Sequence, residues 1–157
     1  MNQVLFLCSR NICSSQVAAA LFNHAAMGYL KGRFPVKPLS GWKAISRGLE
    51  MDPLGDVALS PNAIGYLNQQ EIAVNQNRLA LSVEPSDLLW SDRIIALNEE
   101  DHRPIIEDRF AFWSNRIEYW NVPDFHESNW GKALPRLESN IFELLAVIRS
   151  SEIIASF

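Results

Sequence analysis

A thiol at the end of a short apolar run near the start of the chain gathers most of the residues with catalytic potential around it. Val4-Leu5-Phe6-Leu7-Cys8 leads into the polar stretch Ser9-Arg10-Asn11-Ile12-Cys13-Ser14-Ser15, and an alanine-rich run of helix formers follows. In a strand, loop and helix of this kind, backbone N–H groups turn inward and the helix N-terminus adds partial positive charge. The product is a cradle for a phosphate-sized anion. A thiol sulfur at its edge is placed as a nucleophile toward a bound phosphoryl group. On its own, a cysteine at a strand end is an ordinary buried thiol. Chemistry is suggested by the combination with the polar loop, Cys13, the serines at the helix start, and an acid on a later loop, Asp124.

The elements that must position these groups follow from pattern. Val4 to Cys8 lacks polar alternation, as a strand buried on both faces of a parallel sheet requires. Gln16 to Leu30 reads as a helix with Ser14 or Ser15 as N-cap, and Gly32 to Pro38 as turn. Trp42 to Ser46 is a second strand, ending at Arg47-Gly48; Met51 to Leu59, with Pro53 and Gly55, is loop. Ser60-Pro61 starts a helix through about Gln70, with serine at N-cap and proline at N1. Asp92 to Leu97 is a third strand, Asn98 opens a helix through Asp101, His102 and Ile106, and Arg116 to Val122 is a fourth strand. Lys132 to about Ile154 carries Leu134, Leu137, Ile141, Leu144, Leu145 and Ile148 at helical spacing. Alternating strands and helices imply an α/β three-layer sandwich, a four-stranded parallel sheet with helices on both faces. Ligands bind such sheets at the carboxyl ends of the strands, where Cys8 to Ser15, Arg47-Gly48, Asn98-Glu99 and Pro123-Asp124 fall.

With 157 residues, 48% hydrophobic and 20% charged, the chain is expected to form one domain over residues 1–157. Two cysteines build no disulfide framework and three histidines do not suggest a zinc site, so no metal and no cofactor are expected, in a reducing, cytoplasmic setting. A net charge of −4 argues against nucleic acid or an anionic membrane as partner. No apolar run approaches bilayer length, and the N-terminus lacks the flanks of a secretion signal. His24 and His102 are expected at the surface or partly packed, with no chemistry assigned, Trp130 against the last helix, and the five tryptophans in core and rim packing.

Val4-Leu5-Phe6-Leu7-Cys8-Ser9-Arg10-Asn11-Ile12-Cys13-Ser14-Ser15 resembles the signature V-L-F-V-C-x-G-N-x-C-R-S of the low-molecular-weight protein tyrosine phosphatases. Ile45-Ser46-Arg47-Gly48 looks like their Ser-Ala-Gly turn, Ser60-Pro61-Asn62-Ala63 like a helix start, and Val122-Pro123-Asp124 like the late loop with their acid. The resemblance implies a phosphatase-I-like fold acting on a phosphorylated protein or a small aryl phosphate. It implies that Cys8 is the nucleophile of a phosphocysteine intermediate and Asp124 the general acid. Ser9, Arg10, Asn11, Ile12, Cys13, Ser14 and Ser15 would form the phosphate-binding loop. Asn11 and Ser15 would shape it and hydrogen-bond the sulfur, and Cys13 would be a reversible disulfide partner. Thioredoxin-coupled arsenate reductases have a similar loop, often with Ser-Gln as at Ser15-Gln16, but they need later cysteines, and none follows Cys13.

The pattern breaks at Ser14, where the family has an arginine whose planar fork binds two phosphate oxygens. By analogy with other phosphoryl-transfer arginines, its absence costs about 10³ to 10⁵ in rate. Arg10 and Arg47 replace small residues nearby, and either is a candidate to compensate; otherwise both face solvent. Asp124-Phe125-His126-Glu127 stands where the family has Asp-Pro-Tyr-Tyr. Two readings follow: a cysteine-dependent phosphatase, or a catalytically silent protein that binds phosphate or another anion.

Overall fold

The computed structural model describes residues 1–28, 37–50, 59–75, 78–123, 125 and 130–155. Four parallel strands, β1 (Asn2–Cys8), β2 (Trp42–Gly48), β3 (Arg93–Ala96) and β4 (Glu118–Tyr119), form one sheet in the order β2-β1-β3-β4. Five helices accompany them: α1 (Ser14–Ala26), α2 (Pro61–Gln69), α3 (Pro85–Trp90), α4 (Glu99–Arg109) and α5 (Trp130–Ala155), with a 3-10 turn at Ala111–Trp113. This is the expected α/β sandwich. From β1 the chain moves to one side for β2 and to the other for β3, so a crevice opens at the carboxyl end of β1.

β1 is apolar without interruption because both its faces are covered. Val4, Phe6 and Cys8 join a core that includes Val17 and Phe22 of α1 and Leu137 and Ile141 of α5. Leu5 and Leu7 join the opposite core with Leu88 of α3, Ile106 of α4 and Ile117. The two-residue period of a strand therefore aims Cys8 toward the layer that holds α1. Alanines at 18, 19 and 25 keep α1 close to the sheet, and Asn23 docks it by exchanging hydrogen bonds of 2.8 and 3.0 Å with Ala44 backbone groups. α5 buries Ala133, Leu137, Ile141, Leu144, Leu145 and Ile148, matching the expected stripe except for Leu134, which is half-buried.

Several expectations are corrected. α1 begins at Ser14 with Cys13 at the N-cap, and it ends at Ala26, before Gly28 adopts a φ of +90°. That left-handed conformation suits glycine and stops the helix, so it does not run to Leu30. The turn expected at Gly32 to Pro38 lies mostly outside the described residues, as does almost all of the loop expected at Met51 to Leu59. β4 is two residues rather than the run Arg116 to Val122: parallel pairing covers Glu118 and Tyr119 against Ile95 and Ala96 and then gives way to an antiparallel bridge between Asn98 and Asn121. α3 was not anticipated, although Pro85 stands at its first turn and Glu84 and Asp87 form a reciprocal capping box. Among the described residues, no helix is long and apolar enough to cross a membrane.

His102 is fully buried rather than at the surface or partly packed. Its Nδ1 accepts the Asn98 N–H at 3.0 Å, and its Nε2 has no partner among the described residues. Burial lowers its pKa from 6.5 to about 4, with Asp101 opposing only in part. The unfolded chain takes up this proton below about pH 6.5 and the folded chain only near 4, so acidification through that window favours unfolding.

Two stability measurements follow. Phe6 is fully buried, with ring centroids 6.3 Å from Phe22 and 5.7 Å from Trp120. Phe6→Ala should cost about 4 kcal/mol in urea unfolding. Between pH 6.5 and 4 the wild type should lose about 3 kcal/mol through His102, a loss that His102→Gln removes from the pH dependence of the urea midpoint.

Candidate active site

The loop after β1 is built on the backbone of Asn11. Its φ of +56° lies in the left-handed region, which asparagine tolerates better than most residues. Four hydrogen bonds hold it there. Its backbone N–H donates to Cys8 Sγ at 3.2 Å and its Nδ2 to Ser15 Oγ at 2.8 Å. Its carbonyl oxygen accepts from Gln16 Nε2 at 2.6 Å, and its Oδ1 accepts from the Leu81 N–H at 2.9 Å.

Cys8 Sγ also lies 2.8 Å from Ser15 Oγ. Because Ser15 Oγ already accepts from Asn11 Nδ2, its own proton is free to point at the sulfur. The sulfur thus receives the Asn11 N–H and can receive the Ser15 hydroxyl, a donor pair that suits negative charge on it. No side chain caps α1, whose first-turn N–H groups lie beyond the reach of intrahelical acceptors. An anion at this end of the helix would meet those groups and the positive end of the dipole.

Neighbouring strand ends close around the loop. The Leu49 N–H donates to the Cys8 carbonyl at 2.9 Å, Glu50 to Ser9 at 2.7 Å and Ser60 to Ile12 at 2.9 Å. Cys8, Asn11, Cys13, Ser14 and Ser15 are buried, Ser9 and Ile12 half-buried and Arg10 exposed. Neither Cys8 nor Cys13 is in a disulfide. Arg47 is opposite Leu7 in the sheet and so leaves it on the face away from Cys8. Its Nε binds Asp87 at 3.2 Å and its Nη1 the Ser46 carbonyl at 2.8 Å.

Asp124 and His126 lie outside the described residues. Phe125, which lies between them, and Trp130 stack edge-on at 4.8 Å, and Trp130 meets Tyr66 of α2 at 6.3 Å. Trp130 is the first residue of α5 itself and joins it to α2, rather than packing onto the last helix from outside. Leu81 and Gln16 are the residues of this arrangement that sequence reasoning missed. Gln16 enters the sequence only as the start of a helix and in the Ser15-Gln16 pair, with no supporting contact to signal, and nothing local to Leu81 signals a contact 70 residues away.

A family model described as Low molecular weight phosphotyrosine protein phosphatase matches residues 3–151. The chain belongs to that family. Solved structures repeat its fold across the length of the phosphatase domain. The low molecular weight protein tyrosine phosphatase SP-PTP of Streptococcus pyogenes is 16% identical, with 99% of this chain and 98% of that one covered at a TM-score of 0.75. YfkJ of Bacillus subtilis is 24% identical, with 96% of each chain covered and a TM-score of 0.77. The YwlE arginine phosphatase of Geobacillus stearothermophilus is 18% identical, covering 98% and 96% at a TM-score of 0.75. A curated relative, the Photosystem II assembly lipoprotein Ycf48 of Parasynechococcus marenigrum (strain WH8102), is 32% identical over 83 residues. The match takes in 53% of this chain and spans about a quarter, 23%, of that relative's length.

For this phosphatase-family loop, replacing Asn11 separates backbone from side chain. Asn11→Ala should lose about 3 kcal/mol of stability, from the left-handed backbone and the severed hydrogen bonds together. Asn11→Gly keeps the backbone and should lose about 2 kcal/mol, both read from denaturant midpoints.

Proposed function

We propose that this chain is a phosphomonoesterase of modest rate, with Cys8 as nucleophile and Asp124 as general acid. The observation that carries the reading is Cys8 Sγ held by the Asn11 N–H and Ser15 Oγ beside the uncapped start of α1. The substrate phosphate would sit on the N–H groups of the loop from Ser9 to Ser15 and of the first helical turn. The Cys8 thiolate attacks phosphorus, a sulfur–phosphorus bond forms, and the phosphorus–oxygen bond to the leaving group breaks. Asp124 gives its proton to the departing oxygen. Water, deprotonated by the same carboxylate, then attacks phosphorus and returns the sulfur as thiolate with release of inorganic phosphate.

Substrates are phosphorylated proteins or small aryl phosphates. Phosphoarginine is a further candidate substrate because YwlE of Geobacillus stearothermophilus, which shares the fold, is an arginine phosphatase. Ser14, buried at the first position of α1, supports a second reading, a protein that binds phosphate without turning it over. A serine hydroxyl cannot replace a bidentate guanidinium, and the expected loss is about 10³ to 10⁵ in rate.

Hydrolysis of p-nitrophenyl phosphate, a phosphotyrosine peptide and phosphoarginine by wild type, Cys8→Ser and Ser14→Arg separates the readings. Slow wild-type turnover, abolished in Cys8→Ser and raised about 10³-fold or more in Ser14→Arg, is the expected result. Turnover that survives Cys8→Ser overturns the nucleophile. A wild type that binds phosphate but is inert, with activity appearing only in Ser14→Arg, establishes the silent reading.

A further inference from the structure

A cavity of about 260 Å³ lies beside the loop, between α1, the edge of β2 and the end of α2, with Gln16, Asn23, Ser46, Arg47, Leu67 and Arg78 among the residues of its wall. Two guanidiniums converge there on one backbone oxygen. The Ser46 carbonyl accepts from Arg47 Nη1 at 2.8 Å and from Arg78 Nη2 at 3.1 Å, and Arg78 Nη2 also reaches Ser46 Oγ at 3.1 Å. Asp87 balances Arg47 at 3.2 Å, but among the described residues no carboxylate pairs with Arg78. Other polar groups of the wall are already engaged: Asn23 with Ala44, Gln16 with Asn11, and the Asn75 carbonyl with the Arg78 N–H.

Half-buried Arg78 therefore carries a charge that burial and Arg47 both disfavour, in that order, and its pKa is lowered from the ordinary arginine value. Guanidinium does not shed its proton in this range, so the remedy open to the folded protein is an anion. A space of 260 Å³ is slightly below the roughly 300 Å³ at which pockets for drug-sized ligands begin.

We propose that this cavity is a second anion site, taking the phosphate or carboxylate group of a small molecule on Arg78 and Arg47, separate from the cradle at Cys8. The site is coupled to that cradle by position. Arg78 lies three residues before Leu81, whose N–H holds Asn11, and the cavity-lining Gln16 holds the Asn11 carbonyl. Occupancy would fix both supports of the left-handed turn. The proposal does not depend on turnover at Cys8.

Equilibrium dialysis of the full chain with inorganic phosphate, repeated with malonate as a carboxylate probe, tests it. Cys8→Asp places a carboxylate in the cradle and removes phosphate binding there, leaving the cavity as the remaining site. This variant should still bind one phosphate or one malonate per chain. Adding Arg78→Gln should weaken that binding tenfold or more, as expected for a charge-assisted contact, and Arg78→Lys should restore part of it. Failure of Cys8→Asp to bind either probe overturns the site, as does binding unchanged by Arg78→Gln. Equal losses in Arg78→Gln and Arg78→Lys would mean that the residue serves packing, and would also overturn it. Failure of the phosphatase reading shows instead in the turnover of the wild type and Cys8→Ser.

Discussion

At Asn11 the backbone turns through a left-handed conformation, and hydrogen bonds from four directions hold it there. One reaches back to the Cys8 sulfur, one forward to the Ser15 hydroxyl, one comes from the helix side chain Gln16, and one arrives from Leu81. Leu81 in turn accepts the Gly48 N–H at 2.8 Å, so the same residue that shapes the loop ties it to the edge of β2. The position of the sulfur, the start of α1 and the attachment of the segment around residue 81 are one connected arrangement. Each hydrogen bond contributes only about 1 kcal/mol net, and the arrangement holds because they share one rigid turn.

Beneath this loop the sheet order sets where a ligand can go. β1 lies between β2 and β3, and the connections after β1 and after β3 leave toward opposite faces of the sheet, to α1 and to α4, which opens a gap at the carboxyl end of β1. Complete burial of Val4, Phe6, Leu5 and Leu7 on alternate faces gives the strand no freedom to slip, since a shift of one residue would turn Cys8 to the other layer. The reactive end of the strand inherits its aim from the apolar residues before it.

Charge in this protein is local. The net charge of −4 provides no general attraction for phosphate, and the family's loop arginine is replaced by Ser14. An anion near Cys8 would meet backbone donors: loop N–H groups and the first turn of α1, where the N-cap Cys13 makes no side-chain cap hydrogen bond. The nearby guanidiniums are arranged differently. Arg10 is exposed; Arg47 leaves β2 on the face of Leu7, is held by Asp87 and reaches the Ser46 carbonyl at the strand edge, where Arg78 also binds Ser46.

Much of the fold was legible because its signals are local. An unbroken apolar run marks β1, Ser60 with Pro61 marks the start of α2, Asn98 caps α4, and the apolar stripe of α5 lies within a single helix. The same holds for the loop, whose Cys8, Asn11 and Ser15 are close in sequence as well as in space. Other features depend on partners that no window of sequence contains. α3 is a short helix with weak periodicity, His102 is polar yet enclosed at the end of β3, and the parallel pairing of β4 gives way after Tyr119 to an antiparallel bridge between Asn98 and Asn121. Strand period, capping and turn chemistry act over a few residues, so the parallel sheet, the face on which Cys8 lies and the make-up of the loop after it can be read from the chain alone. Which groups support that loop and where the arginines go depends on contacts between distant segments. Leu81 meets Asn11 across 70 residues and Arg47 meets Asp87 across 40, and contacts of that span are set by how layers pack, not by the residues on either side.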